Sequence, residues 1–265
     1  VNRRRGGTGE GRKVPVSPRA QSTYPRCLPV GDSAISIEFG NIIDEALNRK
    51  VYAFASEVEQ AAIPGVTELV PSYRSLLVQY DLMLTRYDSV APRLMEMAAH
   101  AVVRPEGVTA HPIIEIPVAY GGEFGPDLEA LAKHAGLPQE EVIRIHSHNP
   151  YRVYMLGFSP GFPYLGGIDA RIACPRHNTP RTKVAAGSVG IAESQTGIYP
   201  NDSPGGWQII GRTPVRLFDP TARPPAVAQP GEFIQFVPVD LASFRDIAAE
   251  VAAGRYKPRT KEGPR

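Results

Sequence analysis

The residues best placed to do chemistry lie between Pro175 and Pro214. The run Pro175-Arg176-His177-Asn178-Thr179-Pro180-Arg181-Thr182-Lys183 puts four positive or potentially positive side chains into one turn-rich loop. Arginine offers a planar fork and lysine a point charge, so such a loop can clamp a carboxylate or a phosphate. A solvated surface loop has the same composition. Gly187-Ser188-Val189-Gly190 and Ser203-Pro204-Gly205-Gly206-Trp207 follow; glycine lets backbone N–H groups approach an anion closely, and tight turns alone also require it. Gln195, Thr196 and Tyr199 add hydrogen-bonding groups beside an apolar Trp207 wall, the usual way of holding a small polar ligand. With Arg212 as a further cation and Phe162 as a second wall, the expected substrate-binding set is Phe162, Arg176, Arg181, Lys183, Gly187, Ser188, Gln195, Thr196, Tyr199, Ser203, Gly206, Trp207 and Arg212. No general base stands out, and no catalytic residue is assigned.

Other motifs fail on mechanism. Gly157-Phe158-Ser159-Pro160-Gly161 fits the pattern of a hydrolase nucleophile elbow, but the residue after the serine must donate a backbone N–H to the oxyanion hole, and proline has none. The segment reads instead as a rigid turn whose Phe158, Phe162 and Tyr164 line a pocket or partner groove, or simply fill the core. His146 and His148 lack further ligands at metal-binding spacing, so no metal is expected. Neither GxxxxGK[ST] nor a spaced GxGxxG occurs, so any ATP is held by something other than a P-loop or a Rossmann turn in this chain.

Two kinds of element must position these residues. From Arg26 to Phe39 apolar residues alternate around a Gly31-Asp32 turn; Leu47, Val51, Phe54 and Val58 mark a helix capped by Asp44; strands follow over 66–80, and Val90, Leu94, Met97 and Ala101 mark a second helix. Residues 24–108 are therefore expected to form a small α/β domain with both helices on one face of a sheet. Ile114, Ile116 and Val118 start a second domain over 109–254. Short helices are expected at Pro126 and Pro138, then apolar runs at 153–156, 184–191, 208–210, 215–218 and 233–236 broken by Gly and Pro. That spacing suits an antiparallel barrel of short strands. The helix pair over 128–146 resembles a helix-turn-helix, but its second helix offers only Arg144 outward, too little for reading DNA.

Composition narrows the function classes. Residues 1–26 carry a net charge of +6 and residues 255–265 of +4, which leaves −8 on residues 27–254 of a chain whose total is +2. The body is acidic, with no basic face for nucleic acid. The Gly/Pro-rich ends, residues 1–23 and 255–265, read as solvated basic tails, the first disordered. No run of roughly 18 apolar residues spans a membrane and no apolar h-region follows the early arginines. Cys27 and Cys174 are too few for a disulfide framework, so a cytoplasmic protein is expected.

Several segments together resemble the family of 5-oxoprolinase B subunits, also called KipI-like or allophanate hydrolase subunit 1. They are Tyr151-Arg152-Val153, Gly157 through Leu165, Pro180-Arg181, Ala186 through Ala192, Gln195 through Pro200, Ser203 through Trp207, and Ile210 through Pro214. Ala185 departs from a proline common in that family. The resemblance implies an α+β protein with a small N-terminal α/β domain and a C-terminal cyclophilin-like β-barrel. It also implies a heteromeric complex with the C and A subunits of 5-oxoprolinase that opens 5-oxoproline to glutamate using ATP, with magnesium, at a site that a partner subunit shares or holds. Two alternatives come with it: a KipI-like inhibitor of a sensor histidine kinase, and a carboxyltransferase-type subunit related to urea carboxylase. The allophanate name fits poorly, because no Ser/Gly-rich amidase segment with a lysine base occurs.

Overall fold

The computed structural model describes residues 23–101 and 112–263. The tail expected over residues 1–23, except its last residue, and the boundary expected between 108 and 109 lie outside the described residues.

The first unit repeats strand, strand, helix. β1 (Arg26–Val30) and β2 (Ala34–Glu38) form a hairpin across Gly31, whose φ of +59° suits a residue without Cβ. α1 (Glu45–Gln60) starts where Asp44 accepts a hydrogen bond from the Leu47 N–H at 2.9 Å. β3 (Val66–Pro71), β4 (Ser75–Tyr80) and α2 (Tyr87–His100) complete an antiparallel sheet of order β1-β2-β4-β3. Ile35, Ile37, Leu76 and Val78 meet Phe54, Val90 and Leu94 in one core. Burying each such side chain contributes roughly 1.5–3 kcal/mol.

The second unit opens with β5 (Pro112–Tyr120), α3 (Leu128–Ala135) and α4 (Gln139–His148). β6 (Tyr151–Leu156), β7 (Pro163–Gly166), β8 (Arg181–Val184), β9 (Ser188–Ala192) and β10 (Gln195–Ile198) follow. β11 (Ser203–Gly205), β12 (Gln208–Arg212), β13 (Phe233–Pro238), α5 (Leu241–Ala252) and β14 (Thr260–Glu262) end it. Seven strands run in the order β12-β9-β10-β7-β6-β13-β5 and close into a barrel because β5 also pairs with β12. Closure removes the free edges that short strands would otherwise expose. β8 and β11 form a separate two-stranded flap. The fold is therefore the expected α+β combination with a closed barrel.

The barrel interior is apolar, with Ile116, Val118, Val153, Leu165, Val189, Ile191, Ile198 and Ile234 among its residues, but it holds one polar chain. His146 is fully buried, with Nδ1 at 2.8 Å from the Tyr120 hydroxyl and Nε2 at 2.8 Å from Thr196 Oγ1. Thr196 donates its own proton to the Gly190 carbonyl at 3.0 Å, so it must accept from His146, which fixes the neutral Nε2–H tautomer with Tyr120 donating to Nδ1. Burial pushes the His146 pKa down to about 3. Thr196, expected among the ligand-binding residues, thus belongs to the core: in a strand alternate side chains face opposite ways, and Thr196 and Ile198 face inward.

Three other expectations change. The run 184–191 is two strands, broken at Gly187. Residues 215–218 form no strand, although Val215 and Leu217 are buried and Phe218 bridges Ala226. The 255–265 segment is more than a solvated tail: β14 pairs with β5 at Thr260↔Ile114, Lys261↔Ile113 and Glu262↔Pro112, and Lys261 meets Glu115 at 3.1 Å. The N-terminal half of β5 offers backbone groups beyond the reach of β12, and three residues of β14 satisfy them.

Candidate functional site

Several candidate residues, Arg181, Lys183, Ser188 and Arg212, line one cleft beside the flap, next to a carboxylate that sequence reasoning missed. Asp127, at the start of α3 and 5 % exposed, accepts from Arg181 Nη2 at 2.6 Å through Oδ1 and from the Ile209 backbone N–H at 2.6 Å through Oδ2. His177 Nε2 lies 3.2 Å from the same Oδ2, an electrostatic contact whose angle falls short of a hydrogen bond. Burial pushes the Asp127 carboxyl up, and the hydrogen bonds from Arg181 and Ile209 with the nearby His177 outweigh it, leaving the pKa below the usual carboxylate range. One side chain thereby ties the 175–183 loop and β12 to α3.

This arrangement separates the expected cations. A cleft of about 200 Å³ is lined by Glu123, Phe124, Arg181, Lys183, Ser188 and Arg212, among others. Within it Arg181 turns its guanidinium toward Asp127, and Lys183 pairs with Asp202 at 2.7 Å on the surface. Arg212 donates from Nε to the Ala186 carbonyl at 2.9 Å. Its remaining guanidinium nitrogens make no ion pair among the described residues. Between Ala185 and Ser188, which line the cleft, Gly187 has a φ of +80°, and a Cβ there would run into the Thr213 carbonyl. Asp202 also accepts from the Ala186 N–H at 2.9 Å, closing the loop that carries Gly187.

Arg176 lies outside that cleft. Its guanidinium carbon sits 5.8 Å from the centre of the Trp207 ring, a cation–π geometry, and no carboxylate pairs with it among the described residues. Trp207 belongs to an aromatic cluster. Phe162, 1 % exposed, is its hub, with Tyr164, Tyr199 and Trp207 ring centres at 4.8, 5.3 and 5.4 Å. Phe162 is therefore a core aromatic beneath the wall rather than its surface. Burial raises the Tyr199 pKa, partly offset by a hydrogen bond from the Trp207 backbone and by Arg176. Gly197 abuts Phe162 and Trp207, so Gln195, two residues earlier on the same face of β10, points to the aromatic side. Gly206 has room for a Cβ, so its place beside the His177 backbone is not sterically forced. Ser203 opens β11 with a buried hydroxyl that lacks a partner among the described residues.

The N-terminal unit reaches this aromatic cluster. Asn48, fully buried on α1, donates from Nδ2 to the carbonyls of Ser72 at 3.1 Å and Tyr154 at 3.2 Å, and the Tyr52 hydroxyl donates to the same Tyr154 carbonyl at 3.1 Å. Tyr73, in the turn between β3 and β4, packs on Tyr154 and Tyr164 at 5.3 and 5.9 Å. No short motif marks Tyr73, Asn48 or Asp127, and none of them was singled out from the sequence alone. A larger concavity of about 740 Å³ lies between α1 and β3, lined by Tyr52, Glu59, Glu68 and Leu69 among others, and holds none of the candidate residues.

Residues 25–228 match the family model described as carboxyltransferase domain, subdomain C and D. The chain belongs to this family. Within the carboxyltransferase C/D family it is 46% identical over 222 residues to the 5-oxoprolinase B subunit of Bacillus subtilis (strain 168), covering 78% of this chain and 90% of that protein. It is 38% identical over 214 residues to the 5-oxoprolinase B subunit of Escherichia coli O157:H7, covering 80% and 95%. The K. lactis urea amidolyase shares the fold, with a TM-score of 0.79 over 89% of this chain and 16% of that one, at 21% identity. No helix among the described residues is long and apolar enough to cross a membrane.

Proposed function

We propose that this chain is the B subunit of an ATP-dependent 5-oxoprolinase that opens 5-oxoproline to glutamate together with the A and C subunits. The observation that carries the reading is its 46% identity to a protein of that name across 90% of the relative's length. The site chemistry is compatible. A five-membered lactam is a poor electrophile, and transfer of the ATP γ-phosphoryl to its carbonyl oxygen turns that oxygen into a leaving group. Attack by one water at that carbon and cleavage of the C–N bond, with the ring nitrogen taking a proton, gives an acyl phosphate, and a second water releases its phosphate to leave the new carboxylate. Catalysis of this kind is mostly positioning and charge stabilisation. Arg212 and Lys183 at the cleft suit phosphoryl oxygens, with the Gly187 loop holding its backbone close by; magnesium would accompany the nucleotide. The aromatic rim beside Arg176 suits the substrate ring. No residue of this chain is assigned as general base, so the reading puts part of the site on a partner and makes the isolated chain inactive, in keeping with the relatives' names as subunits.

The test is reconstitution. The chain is co-expressed with the A and C subunits, and ATP-dependent release of glutamate from 5-oxoproline is measured while each component is omitted in turn. Turnover that needs this chain is expected. Turnover that persists without it would overturn the proposal.

A further inference from the structure

We infer that Tyr73 and Arg176, one from each unit of the fold, form the subsite that binds a small cyclic amide by its carboxylate and ring; this rests on the 5-oxoprolinase reading and adds the N-terminal unit to the site. Tyr73 is held there by its surroundings. Its turn is closed by the Ser72 N–H donating to the Ser75 carbonyl at 2.9 Å and by the Ser72 hydroxyl, 3.1 Å from the same oxygen. Asn48 grips the Ser72 carbonyl and the Tyr154 carbonyl of β6 with one amide nitrogen, so the turn cannot shift without breaking bonds to the barrel. At the end of this fixed ring is a buried hydroxyl with no hydrogen-bond partner among the described residues. Buried polar groups are rarely left so, and a ligand is one of the few things that completes them.

Opposite stands a cation with the same character. Arg176 is exposed and unpaired with any described carboxylate, while its backbone is fixed on both sides: Gln208 Nε2 donates to the Pro175 carbonyl at 2.8 Å, and the His177 N–H donates to the Gly206 carbonyl at 2.7 Å. Tyr164 spans the space between, 5.9 Å from Tyr73 and 6.2 Å from Trp207. Tyr73, Tyr164, Trp207 and Arg176 thus follow one another in contact, and the Arg176 charge works against the burial that raises the phenol pKa values of Tyr73, Tyr164 and Tyr199. In the same 175–183 loop Arg181 is engaged by Asp127 and Lys183 by Asp202, which leaves Arg176 as the loop's arginine without a carboxylate among the described residues. A carboxylate can therefore take the Arg176 fork and the ring methylenes can lie on Tyr164 and Trp207, and the amide meets the Tyr73 hydroxyl, which is closed to solvent in the free chain, when the Tyr164 ring packed beside it turns aside.

The experiment compares Tyr73→Phe and Arg176→Gln with the unmodified chain in the complex with the A and C subunits. Tyr73→Phe removes only an unpartnered hydroxyl, so its melting temperature should hold or rise. The KM for 5-oxoproline should increase about threefold to tenfold for loss of a neutral hydrogen bond and about tenfold or more for loss of the charged pair, with the KM for ATP unchanged. If the complex turns over and both variants keep their 5-oxoproline KM within about twofold of the unmodified chain, the subsite is wrong while the oxoprolinase reading stands. If no complex turns over, that reading fails, and saturation-transfer NMR of 5-oxoproline with the unmodified chain decides the subsite. Transfer that both variants lose supports it, and absence of transfer overturns it.

Discussion

Asp127 and Arg181, 54 residues apart, are joined at 2.6 Å, and the other oxygen of the same carboxylate takes the Ile209 N–H at 2.6 Å. Helix α3, the 175–183 loop and strand β12 thus meet at one buried side chain. Asp127→Ala strands both a guanidinium and a backbone donor. It should lower the unfolding free energy by about 2–4 kcal/mol, at the low end because Arg181 is one-third exposed. Asp127→Asn should cost less, since an amide oxygen can still accept. Because the folded pKa is depressed, the carboxylate's contribution is present above the unfolded value of roughly 4 and fades as pH falls through the folded one, so the gap between the unmodified chain and the Asn variant should close under acid. Urea denaturation at pH 7 and pH 3 reads both effects; an Ala variant as stable as the unmodified chain would remove Asp127 from this role.

His146 gives stability the same direction of pH dependence, at a higher pH. Neutral in the fold with a pKa of about 3, it takes a proton in the unfolded chain near pH 6.5. Its contribution is whole above that pH and is lost toward the folded value, at about 1.4 kcal/mol per pH unit once below about 6. The stability of His146→Gln should be lower at pH 7.5 but flatter by about one proton between pH 6.5 and 5. Equal slopes for the two chains would show that His146 titrates normally in the fold.

Periodicity carried the sequence reading where structure is local. The Leu47, Val51, Phe54 and Val58 stripe and the Arg26–Phe39 alternation became α1 and the first hairpin because a single face of each meets a single core. The site depended on distant pairings that leave no local trace: Asp127 lies 54 residues from Arg181 and 82 from Ile209. Thr196 misled because a four-residue strand of a closed barrel does not announce which face is inside. β14, with Thr-Lys-Glu and no apolar signal, is specified by the backbone groups it pairs on β5. The glycine and arginine motifs drew the eye to residues 175–214 but left no sign of how they divide, with Arg181, Lys183 and Arg212 at one cleft and Arg176 set over Trp207 outside it.

Gly187 and Gly122 separate the two costs of replacing a left-handed glycine. Both have positive φ, +80° and +52°, but a Cβ at Gly187 runs into the Thr213 carbonyl while Gly122 faces open space. Gly122→Ala should cost about 1–2 kcal/mol, the torsional term alone. Gly187→Ala should cost about 2 kcal/mol more from overpacking, since the Thr213 N–H bond to the Gly187 carbonyl at 2.9 Å must also shift. Thermal melts of the two variants, compared directly, test whether the close approach or the torsion dominates; similar losses would leave the torsion as the whole cost.

Lys183 separates stability from binding. Its pair with Asp202 is largely exposed, with side-chain exposures of 71% and 52%, so Lys183→Ala should change stability by less than about 1 kcal/mol. If the cleft it shares with Arg212 takes phosphoryl oxygens, the same variant in the assembled complex should raise the KM for ATP about threefold to tenfold, and Arg212→Ala, which has no competing carboxylate, about tenfold or more. Added salt should weaken the Lys183 effect more, because an exposed charge is screened over a Debye length of about 8–10 Å. An unchanged KM for ATP in both variants, with stability intact, would move the nucleotide out of this chain and onto a partner.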